Sequence, residues 1–349
     1  MNAESVLHRQ RPAALAPGGA WETLGAQAQA LHREGRYAEA VAAAQKALAL
    51  VEQCGWHDDS VLARSLNDLA ALHATCGRYD LAEPLYVRAL ALREASLGAA
   101  HPEVAQSFNN LALLRAARGQ YTAAEWLYHR ALSIQEKSLG AGHPELAGTL
   151  NNLAVLLKTQ GRLASAGVLY RRALAIREKT CGPDSPEVAL SLHTLAALLV
   201  AQGDPAQAEP LCRRSLAIRE KAFGADHPDV AMSLNVLAMV RAGLGRPDEA
   251  EALHARALAI RERVHGAHHP DVAQSLHNFA LLQRAQGRAA QAEALFGRAL
   301  AIRERALGRD HPAVADTLAA LAGLHRDLGG VDEASTLEAR ALAIRALKR

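Results

Sequence analysis

One sequence position recurs every 42 residues with a side chain able to hydrogen-bond or titrate: Asn67, Asn109, Asn151, His193, Asn235 and His277, ending at Ala319. The position directly after it holds Asp68, Asn110, Asn152, Thr194, Val236, Asn278 and Ala320. Asn is a poor residue for a helix interior, because its amide competes with the backbone for hydrogen bonds. Something has to offset that cost at each recurrence. An Asn amide both donates and accepts, so it can pair with either side of a peptide group without demanding a charge. On the residues alone, the row bridges one repeat to the backbone of the next.

Two arginine rows share the spacing. One runs Arg88, Arg130, Arg172, Arg214, Arg256, Arg298 and Arg340; the other runs Arg93, Arg177, Arg219, Arg261, Arg303 and Arg345, with Glu following each except the last. Alternating charge at this spacing reads as a ladder between stacked units, and a phosphate-binding stripe is the alternative. The counts of 39 basic and 36 acidic residues leave a net charge of +3, which argues against a nucleic-acid partner. Among 16 histidines, His265, His268 and His269 are the densest cluster, but that loop supplies no carboxylate or Cys to complete a metal set. No metal and no cofactor are expected. Gly-Lys-Ser/Thr, Gly-x-Gly-x-x-Gly, Gly-x-Ser-x-Gly and His-Glu-x-x-His are all absent, so no catalytic residue is assigned and an enzyme is not expected.

The elements that position these rows follow from a second regularity. Gly35, Gly77, Gly119, Gly161, Gly203, Gly245, Gly287 and Gly329 stand 42 residues apart with no break in register. His101-Pro102, His143-Pro144, Ser185-Pro186, His227-Pro228, His269-Pro270 and His311-Pro312 share the step. Pro suits the first turn of a helix, where its missing N–H is not needed, and the preceding His or Ser can cap. An acid follows the Pro in five of the six pairs, where the helix dipole favours it. Helix A therefore begins near each Pro and runs to the repeating Gly, as over 102–119. Helix B follows, as over 120–140. Val104, Phe108, Leu111 and Leu114 form the apolar stripe of the first, and Ala124, Leu127, Tyr128, Ala131 and Leu132 that of the second. Neither helix can bury its stripe alone, so the pairs must stack. The chain reads as all-α, a right-handed α-solenoid of eight antiparallel helix pairs over residues 20–349. Residues 1–19 read as a mobile tail. The last helix, over 331–348, reads as a cap, with Glu338 where Tyr86, Tyr128 and Tyr170 stand in earlier units.

The four cysteines form no Cys-x-x-Cys pair, and the first twenty residues hold no apolar signal core. No uncharged stretch is long enough to span a bilayer. These features predict a soluble cytoplasmic chain without a membrane partner.

Gly119-Gln120-Tyr121 followed by Ala124 and Ala131 matches the tetratricopeptide repeat pattern. Leu150-Asn151-Asn152-Leu153-Ala154 and Leu169-Tyr170-Arg171-Arg172-Ala173-Leu174-Ala175-Ile176-Arg177-Glu178 carry its 42-residue form. The chain thus resembles the repeats of kinesin light chains and nephrocystin-3-like proteins over residues 20–348. The residues ahead of the repeats hold no heptad coiled coil, so a kinesin subunit is not expected. The resemblance implies that the Asn positions of helix A look into a concave groove, where matching Asn side chains hold the backbone or carboxylate of an extended peptide. Leu113 and Val155 would add shallow apolar pockets. Arg115 and Lys158, with Arg241, Arg284 and Arg326, lie near helix A C-termini. There they either complement the helix dipole or form a rim that prefers an acidic ligand. The Asn row is complete from 67 to 152, which places the main ligand patch in the N-terminal half. The expected function is a non-enzymatic adaptor for a protein or peptide partner. The alternative is a self-associating structural or regulatory solenoid that meets a separately encoded ATPase or protease through its convex face.

Overall fold

The computed structural model describes residues 17–53 and 59–347. Sixteen helices and no strand lie within them: α1 (Pro17–Arg33), α2 (Tyr37–Gln53), α3 (Asp59–Thr75), α4 (Tyr79–Leu97), α5 (Pro102–Ala117), α6 (Tyr121–Leu139), α7 (Pro144–Thr159), α8 (Leu163–Cys181), α9 (Pro186–Ala201), α10 (Pro205–Phe223), α11 (Pro228–Gly243), α12 (Pro247–His265), α13 (Pro270–Ala285), α14 (Ala289–Leu307), α15 (Pro312–Asp327) and α16 (Val331–Ala346). The tail expected over 1–19 falls outside the described residues as far as 16, and its last three residues are the first of α1. Cys54 also lies outside them.

The helix starts follow from side-chain chemistry. His101, His143, His227, His269 and His311 each accept the backbone N–H two residues on through Nδ1, and Ser185 accepts that of Val188. The odd-numbered helices end two residues before the repeating glycines, because those glycines adopt a positive φ, as at Gly119 (74°). A second set of turns, between helix B and the next helix A, uses positive-φ glycines as well, such as Gly140 (90°).

The core repeats with the sequence. Leu66, Leu150, Leu192, Leu234 and Leu276 of the A helices are fully buried, with Phe108 in the same row. They pack with Ala89, Ala131, Ala173, Ala257 and Ala299 of the B helices, each at most 1% exposed. Alanine at this position lets the two backbones approach, and the close contact then excludes water from the larger side chains. Each helix packs on its neighbours in sequence, and from α3 to α15 each odd-numbered helix also touches the next odd-numbered helix. The odd helices therefore lie on the inside of the curve and the even ones on the outside.

The curve is tight enough to meet itself. His269 Nε2 donates to the carbonyl of Arg33 at 3.2 Å, and His311 Nε2 to that of Thr75 at 3.1 Å. Since Nδ1 of each ring accepts a backbone N–H, the proton sits on Nε2. Both contacts join residues 236 apart, so one superhelical turn takes between five and six repeats. Gly35 packs directly under His269 and Pro270 at this joint.

Candidate functional site

The concave face is built from the solvent-facing stripe of the odd helices. On α5 that stripe is Gln106, Asn109, Asn110 and Leu113, spaced three and four residues apart. The Asn residues are half-buried there, and two pairs bridge successive repeats. Asn110 Nδ2 donates to Asn67 Oδ1 at 2.6 Å, and Asn152 Nδ2 donates to Asn109 Oδ1 at 3.0 Å. The bridge thus forms between side chains, where the sequence suggested side chain to backbone. Each bridge uses one oxygen and one N–H, so both partners keep further hydrogen-bonding capacity. Asn151 Oδ1 is buried without a partner.

Farther along, the row changes character. Asn235 is only 4% exposed: it accepts from His254 Nδ1 at 2.9 Å and donates to Ser275 Oγ at 3.0 Å. Asn278 is tied to Gln274 on its own helix. Burial lowers His277 to about 4, aided by Arg303, so it is neutral near pH 7. Burial likewise lowers His193, aided by Arg219, Arg261 and Lys158. The structure therefore brings Asn67, Asn109, Asn110 and Asn152 to one continuous surface and draws Asn235 into the core.

Leu113 and Val155 are joined by Met239 and Leu281 in an exposed apolar row along the odd helices, each 42–46% exposed. The cations near it do not form a free basic rim. Arg115 pairs with Glu83 and donates to Gln120, Arg241 pairs with Glu209 at 2.9 Å, and Arg284 pairs with Asp327 at 2.6 Å. Lys158 Nζ reaches the carbonyl of Ala197 at 3.5 Å, and burial lowers its pKa. Acidic neighbours the sequence spacing did not reveal, on adjacent elements, neutralise most of this charge.

The outer arginine row is a ladder. Arg88, Arg172, Arg214, Arg256, Arg298 and Arg340 each meet a Glu 36 residues earlier at 2.5–2.7 Å. Arg130 departs from the pattern and lies over the rings of Phe108 and Trp126. The loop histidines also sort differently from the sequence expectation. His265 and His269 stack at 4.3 Å, and the carboxylate that reaches them is Asp271, from the first turn of α13; His268 stays apart. Both nitrogens of His269 are already engaged, one by the N–H of Asp271 and one by the carbonyl of Arg33. No described helix is long and apolar enough to cross a membrane.

Comparison with known proteins agrees with this architecture. The sequence matches the tetratricopeptide repeat profile in seven overlapping stretches, over residues 20–95, 61–125, 103–179, 145–210, 187–262, 229–305 and 280–346. No curated protein matches it significantly. Among solved structures, it is similar to BtubC (BKLC) from P. vanneervenii, with 27% identity over 65% of this chain and 91% of that one and a TM-score of 0.56. TPR-like repeats assigned to a kinesin light chain of Podospora anserina are 28% identical over 59% of this chain and 98% of that one, with a TM-score of 0.50. The quorum sensor NprR from B. thuringiensis aligns over 95% of this chain and 89% of its own at a TM-score of 0.62, but at 13% identity this likeness shows the fold alone.

Proposed function

The chain belongs to the tetratricopeptide repeat family, and from that membership we propose that it is a non-enzymatic scaffold whose concave face holds an extended segment of a partner protein. The observation that carries this reading is the exposed row Leu113, Val155, Met239 and Leu281. Apolar side chains left outward at one repeat position, beside Asn residues with hydrogen-bonding capacity to spare, suit a peptide. The Asn amides meet its backbone while the apolar row takes alternate side chains. The rigid stack is ordered before binding, so the peptide bears most of the ordering entropy. Because the neighbouring arginines are already paired, the groove has no general preference for acidic ligands.

A fluorescent random nonapeptide library tests the reading. Wild-type protein should retain a defined subset. The double variant Leu113→Asp/Val155→Asp, confirmed helical by circular dichroism, should bind that subset at least about tenfold more weakly. Equal binding by both proteins would remove the groove from consideration.

A second reading rests on Trp126 and Val168, which are 59% and 60% exposed at matching positions of the outer helices α6 and α8. Such a pair suits a contact on the convex face, including self-association. Sedimentation of wild type and Trp126→Asp/Val168→Asp over a wide concentration range would reveal it as a shift in mass.

A further inference from the structure

The inner arginine row holds the repeats together in one repeated way. Arg93 donates to Ser107 Oγ at 2.8 Å and the Glu103 carbonyl at 3.2 Å. Arg177, Arg219 and Arg261 make the same pair of bonds to the Ser fourteen residues on and the carbonyl ten residues on. Arg303 does so with Thr317 and Ala313, and also donates to Gln274 Oε1 at 2.7 Å. In each case a buried or part-buried guanidinium plugs the wedge between a B helix and the next A helix.

The third repeat lacks that plug. Position 135 is Gln, too short to repeat the contacts. Its side chain is 4% exposed, and its Oε1 has no hydrogen-bond partner. A cavity of about 390 Å³ stands there, with Gln135, Thr149, Glu145, Glu103 and Gln106 on its wall. A second replacement widens its mouth. Gly148 occupies the position of Gln106, Leu190, Met232, Gln274 and Asp316 in other repeats, and a Cβ there would meet nothing. The opening lies beside the Asn109–Asn152 bridge, on the concave face.

The acceptors that an arginine at 135 would use by analogy are all present: the Thr149 hydroxyl, the Glu145 carbonyl and Gln106 Oε1. Glu145 brings a carboxylate to the wall, while that of Glu103 is shared with Arg93 at 3.4 Å. Its lining offers oxygen acceptors at several angles, which a planar fork of five N–H donors satisfies better than a compact ammonium.

We propose that this cavity is an arginine subsite of the groove, in which a guanidinium from the bound chain takes the place that the protein's own arginine fills in neighbouring repeats. The proposal builds on the reading of the concave face as a peptide site and assigns one side chain of that peptide.

The test uses the full chain and a small probe first. Ethylguanidinium chloride is titrated against methyl-labelled protein, with ethylammonium chloride at equal ionic strength as control, and the Thr149 methyl resonance is followed. A saturable shift with ethylguanidinium is expected, about tenfold weaker with ethylammonium. The shift should be lost in Gln135→Arg, which supplies the plug in cis and should also melt higher than wild type. No saturable shift, or the same shift in a folded Gln135→Arg variant, would overturn the subsite.

The second arm compares nonapeptide libraries fixed with Arg or with citrulline at one position. Retention of the Arg library at least about tenfold above the citrulline one, in wild type and not in Gln135→Arg, supports the proposal. Equal retention of both libraries overturns it. If ethylguanidinium binds in a Gln135-dependent way while no peptide library is retained, the cation site stands and the peptide reading of the groove falls.

Discussion

Asn109 and Asn235 occupy the same position of the repeat and live in different surroundings. Asn109 is half-buried on the groove surface and bridges to Asn152. Asn235 is buried between His254 and Ser275. The difference traces to the facing position of helix B. Tyr128 fills that space in the third repeat and is only 1% exposed. His254 stands there in the sixth; its ring stacks on Phe279 and turns Nδ1 toward Asn235. Repeat position fixes where the backbone goes. The side chain across the helix pair decides whether a polar group serves the surface or the core.

Acid should separate the two regions most strongly. Burial lowers His254 to about 4, and His277 to about 4. Both folded-state values lie below the ordinary 6.5, so the unfolded chain takes up protons first as pH falls. The contribution of each to stability is full well above pH 6.5 and is lost from there down to about pH 4, on the order of 3 kcal/mol for a histidine as buried as His254. Helices α5 to α8 contain only His129, which is exposed. Amide exchange followed from pH 7.5 to 4.5 should therefore rise in α9 to α14 before α5 to α8, and a uniform rise would break the distinction.

Asn235→Ala is next in size. It strands His254 Nδ1 and removes a donor from Ser275, costing about 1–3 kcal/mol by urea unfolding. Matched turns give a parallel contrast. Gly35 (φ 73°) and Gly161 (φ 76°) share one conformation, so alanine at either costs about 1 kcal/mol in backbone strain. Only at Gly35 would the new Cβ fall 2.9 Å from His269 Cδ2, so Gly35→Ala should lower Tm further than Gly161→Ala. The smallest change is expected for Asn109→Ala. Its bridge is half-exposed, and its loss should cost less than about 1 kcal/mol while weakening peptide retention.

Much of the fold was legible because it repeats. The glycines mark the turns, the His-Pro pairs mark the helix starts, and the apolar stripes name the core. The site was legible only in outline. Spacing put Asn67, Asn109 and Asn235 in one row, but it could not show that His254 would pull one of them inward. Arg115 read as part of a basic rim because Glu83, on another helix, is 32 residues away in sequence. The gap in the inner arginine row was present in the sequence at Gln135. Its meaning needed the geometry of the five filled sites around it.

The joint between superhelical turns gives the molecule the mechanics of a close-wound spring. With His269 resting on the end of α1 and His311 on the end of α3, the coils already touch, so the solenoid resists shortening by hard contact. Lengthening breaks only a few hydrogen bonds and the packing about Gly35, and leaves every repeat intact. Under load the response is one-sided, stiff in compression and compliant in tension, with a small yield step when the coils part.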